Sequence, residues 1–218
     1  MKITASIISW MFLPLIMPVL ALIIVMFTPS ELDYSSFHSL YFIPVNAKLY
    51  FIYTFLIFAF VAPSISIIIL KASKIISTIE MDNKKERYAP LVLTAGYSIM
   101  LIVLLNQRNN DFFISGHLFA LAYSGLVMSL LFMTITRWTK ISLHTGGVGM
   151  LVGFVIAYSL EQSLLVDWPV YFVIFLAGVI ISARIILDKH TPSQAYLGFI
   201  AGSLITFALD RLFISIAN

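Results

Sequence analysis

Seven long stretches free of charged side chains run through the chain, separated by short polar segments. They are Ile3 to Ser30, Leu49 to Leu70, Tyr88 to Gln107, Phe112 to Thr136, Ile141 to Leu160, Trp168 to Ala183 and Thr191 to Leu209. A membrane-crossing helix needs about twenty apolar residues, with roughly seventeen as the low end. The sixth stretch is short, and Arg184 extends it if its side chain snorkels to the interface. The runs are continuous rather than alternating, which selects helices over barrel strands. The pattern predicts an all-α integral membrane protein, a bundle of about seven transmembrane helices, with residues 1–218 as a single domain and no soluble domain or linker. The first apolar run is too long for a signal-peptide core and lacks a small-residue cleavage site, so it is expected to be a span.

Composition agrees with lipid as the main solvent. Of the 218 residues, 61% are hydrophobic and 11% charged, whereas a soluble domain is about half apolar and roughly a quarter charged. The 13 Lys and Arg against 10 Asp and Glu give too weak a balance to argue for nucleic acid. No basic run is interleaved with aromatics in a solvated segment. With no cysteine, disulfides, thiolate nucleophiles and thiolate metal sites are excluded.

Seven spans put the connections alternately on two sides. One side takes the N-terminus and segments 71–87, 137–140 and 184–190, with Lys2, Lys71, Lys74, Lys84, Lys85, Arg87, Arg137, Lys140, Arg184 and Lys189. The other side holds Lys48, Arg108 and Arg211. The positive-inside rule makes the rich side cytoplasmic. Setting aside Arg87, Lys140 and Arg184, which anion chemistry would also favour, leaves seven against three. A multi-pass protein of a cell membrane, of the bacterial inner-membrane kind, is expected.

Three segments on the basic side carry unusual polar residues at span ends: Asn83 to Pro90, Lys140 to Gly147, and Ala183-Arg184 followed by His190-Thr191-Pro192-Ser193-Gln194. Two spans separate each from the next, so all three emerge on one side. Two histidines, at least two arginines, lysines and glycine-rich backbone can then converge. Such a set suits a phosphate ester: Arg forks hold phosphoryl oxygens bidentately, and N–H groups at helix starts add donors. One imidazole can attack phosphorus while the other protonates the leaving oxygen.

These segments resemble the type 2 phosphatidic acid phosphatase family, membrane lipid phosphatases related to vanadium haloperoxidases, whose motifs read K-x6-RP, PSGH and SR-x5-H-x3-D. Ala183-Arg184-x5-His190-x3-Gln194 keeps the third spacing, with Ala for Ser and Gln for Asp. Ile141-Ser142-Leu143-His144 keeps Ser and His of the second, and Arg87 stands three before Pro90 in place of the first. The 46-residue separation of His144 from His190 is two spans' worth. The resemblance covers about 80–205 and implies a phosphatase-like core there, with the first two spans outside it. It implies metal-independent, cofactor-free hydrolysis of a membrane lipid phosphate or diphosphate, of the phosphatidic acid, phosphatidylglycerophosphate or isoprenyl diphosphate class. His190 would be the nucleophile and His144 the general acid. Arg184 and Arg87 would hold the phosphate, with Lys84 or Lys85 replacing the missing lysine. Ser142 and nearby backbone N–H groups, Gly146 among them, would assist, and Gln194 would orient His190. Most bacterial relatives present this site outside, against the charge count.

Other readings stand beside this one. Arg184, Lys189 and Lys140 also fit snorkelling charges, and Thr191 to Gln194 fits a capping box. Gly146, Gly147, Gly149, Gly153, Gly198 and Gly202 fit helix packing. Ile114-Ser115-Gly116-His117 looks like PSGH but lies one span away, on the sparsely charged side, so His117 is expected to be an interfacial residue at a helix start. A catalytically impaired lipid binder of the same fold and a small transporter are the alternative functions; no internal repeat favours the latter.

Overall fold

A computed structural model describes residues 1–217 except 31–38, 82, 110–113 and 163–166. Among the described residues there are helices and no β-sheet. Seven helical units are long and apolar enough to cross a membrane: Lys2–Phe27, Val45–Ala72, Lys84–Asn109, Gly116–Ile135, Leu143–Glu161, Trp168–Ile186 and Pro192–Ile216. The arrangement is consistent with a multi-pass membrane protein. The start expected at Phe112 lies outside the described residues.

Two spans are broken, each near a proline. The first consists of α1 (Lys2–Met11) and α2 (Met17–Phe27), joined by a 3-10 turn at Pro14–Ile16. The second consists of α3 (Val45–Phe55) and α4 (Ala62–Ala72), with a π-helical stretch at Leu56–Val61 just before Pro63. Proline lacks an N–H and its ring crowds the preceding turn, so the chain changes pitch there. The other spans are α5 (Tyr88–Asn109), α6 (Gly116–Ile135), α7 (Leu143–Glu161), α8 (Trp168–Ile186) and α9 (Pro192–Ala217).

Helix α7 is the centre of the bundle, enclosed by α9, α8 and α2, while α6 packs against both α5 and α9. Glycines set the α7–α9 distance. A Cβ on Gly149 would lie 2.3 Å from the Phe199 carbonyl oxygen, and one on Gly153 equally close to that of Ser203. From α9, a Cβ on Gly202 would lie 2.2 Å from the Gly146 carbonyl. Small residues let two backbones touch, which is how helices associate where the solvent is itself apolar. Large apolar side chains such as Ile65, Ile68, Phe175 and Leu204 remain on the outside, as lipid-facing residues would.

The segments assigned to the basic side do meet. Lys2 Nζ bonds Asp188 Oδ2 at 2.8 Å, Lys84 Nζ donates to the Arg137 carbonyl at 3.1 Å, and Arg87 donates to the carbonyl of Ile141. Two expectations change. Arg184 does not snorkel; it is buried, with its Nη1 donating to Ser9 Oγ at 2.6 Å. The last helix also runs past Leu209, because Asp210 and Arg211 do not end it: Asp210 is buried against His117, and Arg211 pairs with Glu161.

Candidate functional site

At the basic edge of the bundle lies a cavity of about 270 Å³. Arg87, His144, Arg184, His190 and Glu80 wall its polar end. The rest of the lining is mostly apolar and extends down α5 as far as Ser98 and to Gly125 on α6. At about 1.5 Å per residue, Arg87 to Ser98 covers about 16 Å, roughly half of a 30 Å hydrocarbon layer. The π-helical stretch contributes Phe58 and Ala59 to the wall, and the α1–α2 break contributes Leu13 and Pro14.

His190 stands in the short connection between α8 and α9. The chain leaves α8 through Asp188, whose φ is 55°, and Pro192 at the first helical position starts α9 with its φ already set. The imidazole is nearly buried, and its Nδ1 lies 3.1 Å from the Lys140 carbonyl oxygen. A carbonyl can only accept, so Nδ1 carries the proton and Nε2 keeps a bare lone pair. Burial, followed by the charges of Arg87, Arg184 and Lys140, lowers the His190 pKa from 6.5 to about 3. A neutral, oriented imidazole with a free Nε2 has the properties of a nucleophile.

His144 lies in the first turn of α7, facing the backbone of Ser9 and within electrostatic reach of Arg184, His190 and Arg87. Arg87 is buried at the end of a 3-10 turn, Lys84–Arg87, and its Nε donates to the Met81 carbonyl at 3.1 Å. These bonds to backbone and to Ser9 hold both guanidinium groups in place at the same cavity as the two imidazoles. The site therefore combines preorganised positive charge, a neutral imidazole with a bare Nε2 and a second imidazole, next to a deep apolar space.

Four of the expected site residues, Arg87, His144, Arg184 and His190, are thus brought together. The others are placed elsewhere. Lys84 and Lys85 are exposed, Lys84 on the Arg137 carbonyl and Lys85 with its N–H on Asn83 Oδ1. Ser142 is the N-cap of α7, its Oγ accepting the Thr145 N–H at 3.4 Å. Gly146 is a packing residue: a Cβ there would strike the Phe132 ring at 2.4 Å. Gln194 caps the start of α9. Its Oε1 accepts the Thr191 N–H at 3.3 Å while its own N–H donates to Thr191 Oγ1 at 3.4 Å, the reciprocal pair of a capping box.

His117, expected at the interface, is wholly buried. Its Nδ1 lies 2.9 and 3.1 Å from the two carboxylate oxygens of Asp210, and its ring is 4.9 Å from that of Tyr158. A carboxylate on α9 draws the imidazole inward, because each group is costly to bury without a partner.

Three participants were not foreseen. Glu80 lines the cavity and makes ion pairs with Lys189 at 2.5 Å and Arg184 at 3.6 Å. The available signal was the carboxylates Glu80, Asp82 and Glu86 amid the lysines of segment 71–87, which a count of basic residues passes over. Ser9 and the Lys140 carbonyl had no signal, since a hydroxyl in an apolar run and a backbone oxygen look the same everywhere. Comparison of the chain with family models, curated proteins and solved structures returns no match.

Proposed function

We propose that the protein hydrolyses a membrane lipid phosphate or diphosphate, without a metal, through a phosphohistidine on His190. One observation carries this reading: two imidazoles and two buried arginines line the polar end of a cavity whose remainder is apolar. A charged head and a long tail would both be accommodated. In the first step the Nε2 lone pair of His190 attacks phosphorus, and the bond from phosphorus to the leaving oxygen breaks. His144, which takes up a second proton once the substrate's negative charge offsets the two arginines, gives that oxygen its proton, releasing a lipid alcohol, or a lipid monophosphate when the substrate is a diphosphate. In the second step His144 takes a proton from water, the resulting hydroxide attacks phosphorus, and inorganic phosphate leaves with His190 restored. Arg87 and Arg184 hold the equatorial oxygens, where charge accumulates.

The test uses purified protein in detergent with EDTA present. Phosphate release is expected from phosphatidic acid, phosphatidylglycerophosphate or an isoprenyl diphosphate, together with an acid-labile, base-stable phosphoprotein, and His190→Ala abolishes both. No release from the panel, with His190→Ala behaving as wild type, would overturn the reading. By charge count the site faces the cytoplasm; reporter fusions after residues 78 and 218 test this.

A second reading, a lipid-binding protein without turnover, is favoured by the hydrogen bond of His190 to a neutral carbonyl rather than a carboxylate. Lipid binding that persists without either histidine but fails without Arg184 would select it.

A further inference from the structure

The polar end of the cavity already contains an anion. Glu80 reaches in from the connection between α4 and α5, and its side chain is 25% exposed. Its two oxygens do different things. Oε2 lies 2.5 Å from Lys189 Nζ, a short charge-assisted contact. Oε1 stands 3.6 Å from Arg184 Nη1, too far for a hydrogen bond to that nitrogen yet close enough for strong attraction. The same Nη1 donates one of its two N–H groups to Ser9 Oγ. The carboxylate therefore occupies the electrostatic position of an incoming phosphoryl group, with Lys189 as a second cation to hold it.

Its segment is tied down on both sides of Glu80. Ser77 donates to Glu86 Oε2 through its N–H at 2.8 Å and its hydroxyl at 2.9 Å, and Arg87 Nε holds the Met81 carbonyl. Lys74 and Met81 both have positive φ, 59° and 52°, backbone that non-glycine residues adopt at a cost. Ile79 and Met81, on either side of Glu80, line the same cavity.

From this we infer that Glu80 is a resident competitor for the phosphoryl site: a phosphate dianion binds at Arg184 only by displacing the Glu80 carboxylate, so Glu80 sets how strongly the site holds phosphate. The inference rests on the phosphate-site reading above. Two anions cannot share one guanidinium at such range without repulsion. The carboxylate thereby opposes tight retention of the phosphate product and favours ligands of higher charge.

Binding of inorganic phosphate to the detergent-solubilised full chain, measured by calorimetry, tests it. Glu80→Gln and Glu80→Ala are both used, with melting temperatures compared with wild type so that a folding defect in one variant is recognised. Both are expected to bind phosphate about tenfold more tightly, and the gain is expected to vanish when Arg184→Ala is added. Equal affinity in wild type and both variants, lost in Arg184→Ala, would overturn the role of Glu80 while leaving the phosphate site intact. Weaker binding in the Glu80 variants would also overturn it, making Glu80 a supporting residue. No phosphate binding to any form would remove the phosphate-site reading and this inference together.

Discussion

The Nδ1 of His190 and the carbonyl oxygen of Lys140 lie 3.1 Å apart, though 50 positions separate them in the chain. That contact gives the imidazole its tautomer and leaves Nε2 as the nitrogen with the lone pair. It also makes the fourth residue of the third motif unnecessary for orientation. Because the acceptor is backbone, replacement of the Lys140 side chain leaves it in place.

Gln194 is consequently expected to matter for stability and not for turnover. Gln194→Ala removes half of the capping box that starts α9 and costs about 1 kcal/mol. Lipid-phosphate turnover should be unchanged, and Gln194→Asp should not raise it. A large loss of kcat in Gln194→Ala with an unchanged melting temperature would show that the amide acts on His190 after all.

Arg184 is buried and supplies charge to the polar end of the cavity. Arg184→Ala should lower kcat/KM about 10²- to 10³-fold, the usual loss when one donor to a developing anion is removed. Arg184→Lys should fall between the two, since an ammonium keeps the charge but loses the planar fork. Steady-state kinetics on a lipid phosphate measures both; a lysine variant equal to wild type would argue against bidentate binding.

The depressed pKa of His190 makes stability depend on pH. The folded chain protonates this imidazole near 3 and the unfolded chain near 6.5. Between these values the unfolded state binds more protons, so stability falls as the pH drops below 6.5 and is unaffected above it. The slope from this residue is at most about 1.4 kcal/mol per pH unit. Thermal unfolding from about pH 7.5 to about pH 5 should show a shallower decline in His190→Asn than in wild type. Equal declines would place the acid sensitivity elsewhere.

The α7–α9 contact leaves no room for a methyl group. Gly149→Ala, Gly153→Ala and Gly202→Ala should each cost about 1–3 kcal/mol, read as denaturant unfolding in mixed micelles. Gly96→Ala and Gly178→Ala, where nothing lies within 4 Å of an added Cβ, should be neutral or stabilising, which makes them the controls.

At the far end of the bundle, Asp210 and His117 are expected to act as a bolt between α9 and α6. Replacing one partner leaves the other buried without its hydrogen-bond partner, a loss of about 1–3 kcal/mol. Asp210→Asn should therefore lower the melting temperature, while the surviving folded fraction keeps its affinity for phosphate. Loss of phosphate affinity without loss of stability would couple this pair to the cavity.

The sequence by itself determined that the chain is helical, how many times it can cross a membrane, and which segments share an edge. These follow from the length of apolar runs and from the parity of spans, both local or countable properties. Parity alone brought Arg87, His144, Arg184 and His190 to one side, and the structure gathers them around one cavity. Only the tertiary structure decided what surrounds them. Ser9 and Pro14 come from a span outside the region of motif resemblance. Glu80 enters as an anion among cations, and His117 turns inward to Asp210, 93 positions away. Such pairings depend on which helix faces meet, and a pattern of hydrophobicity along a helix surrounded by lipid and protein at once does not say which face is which.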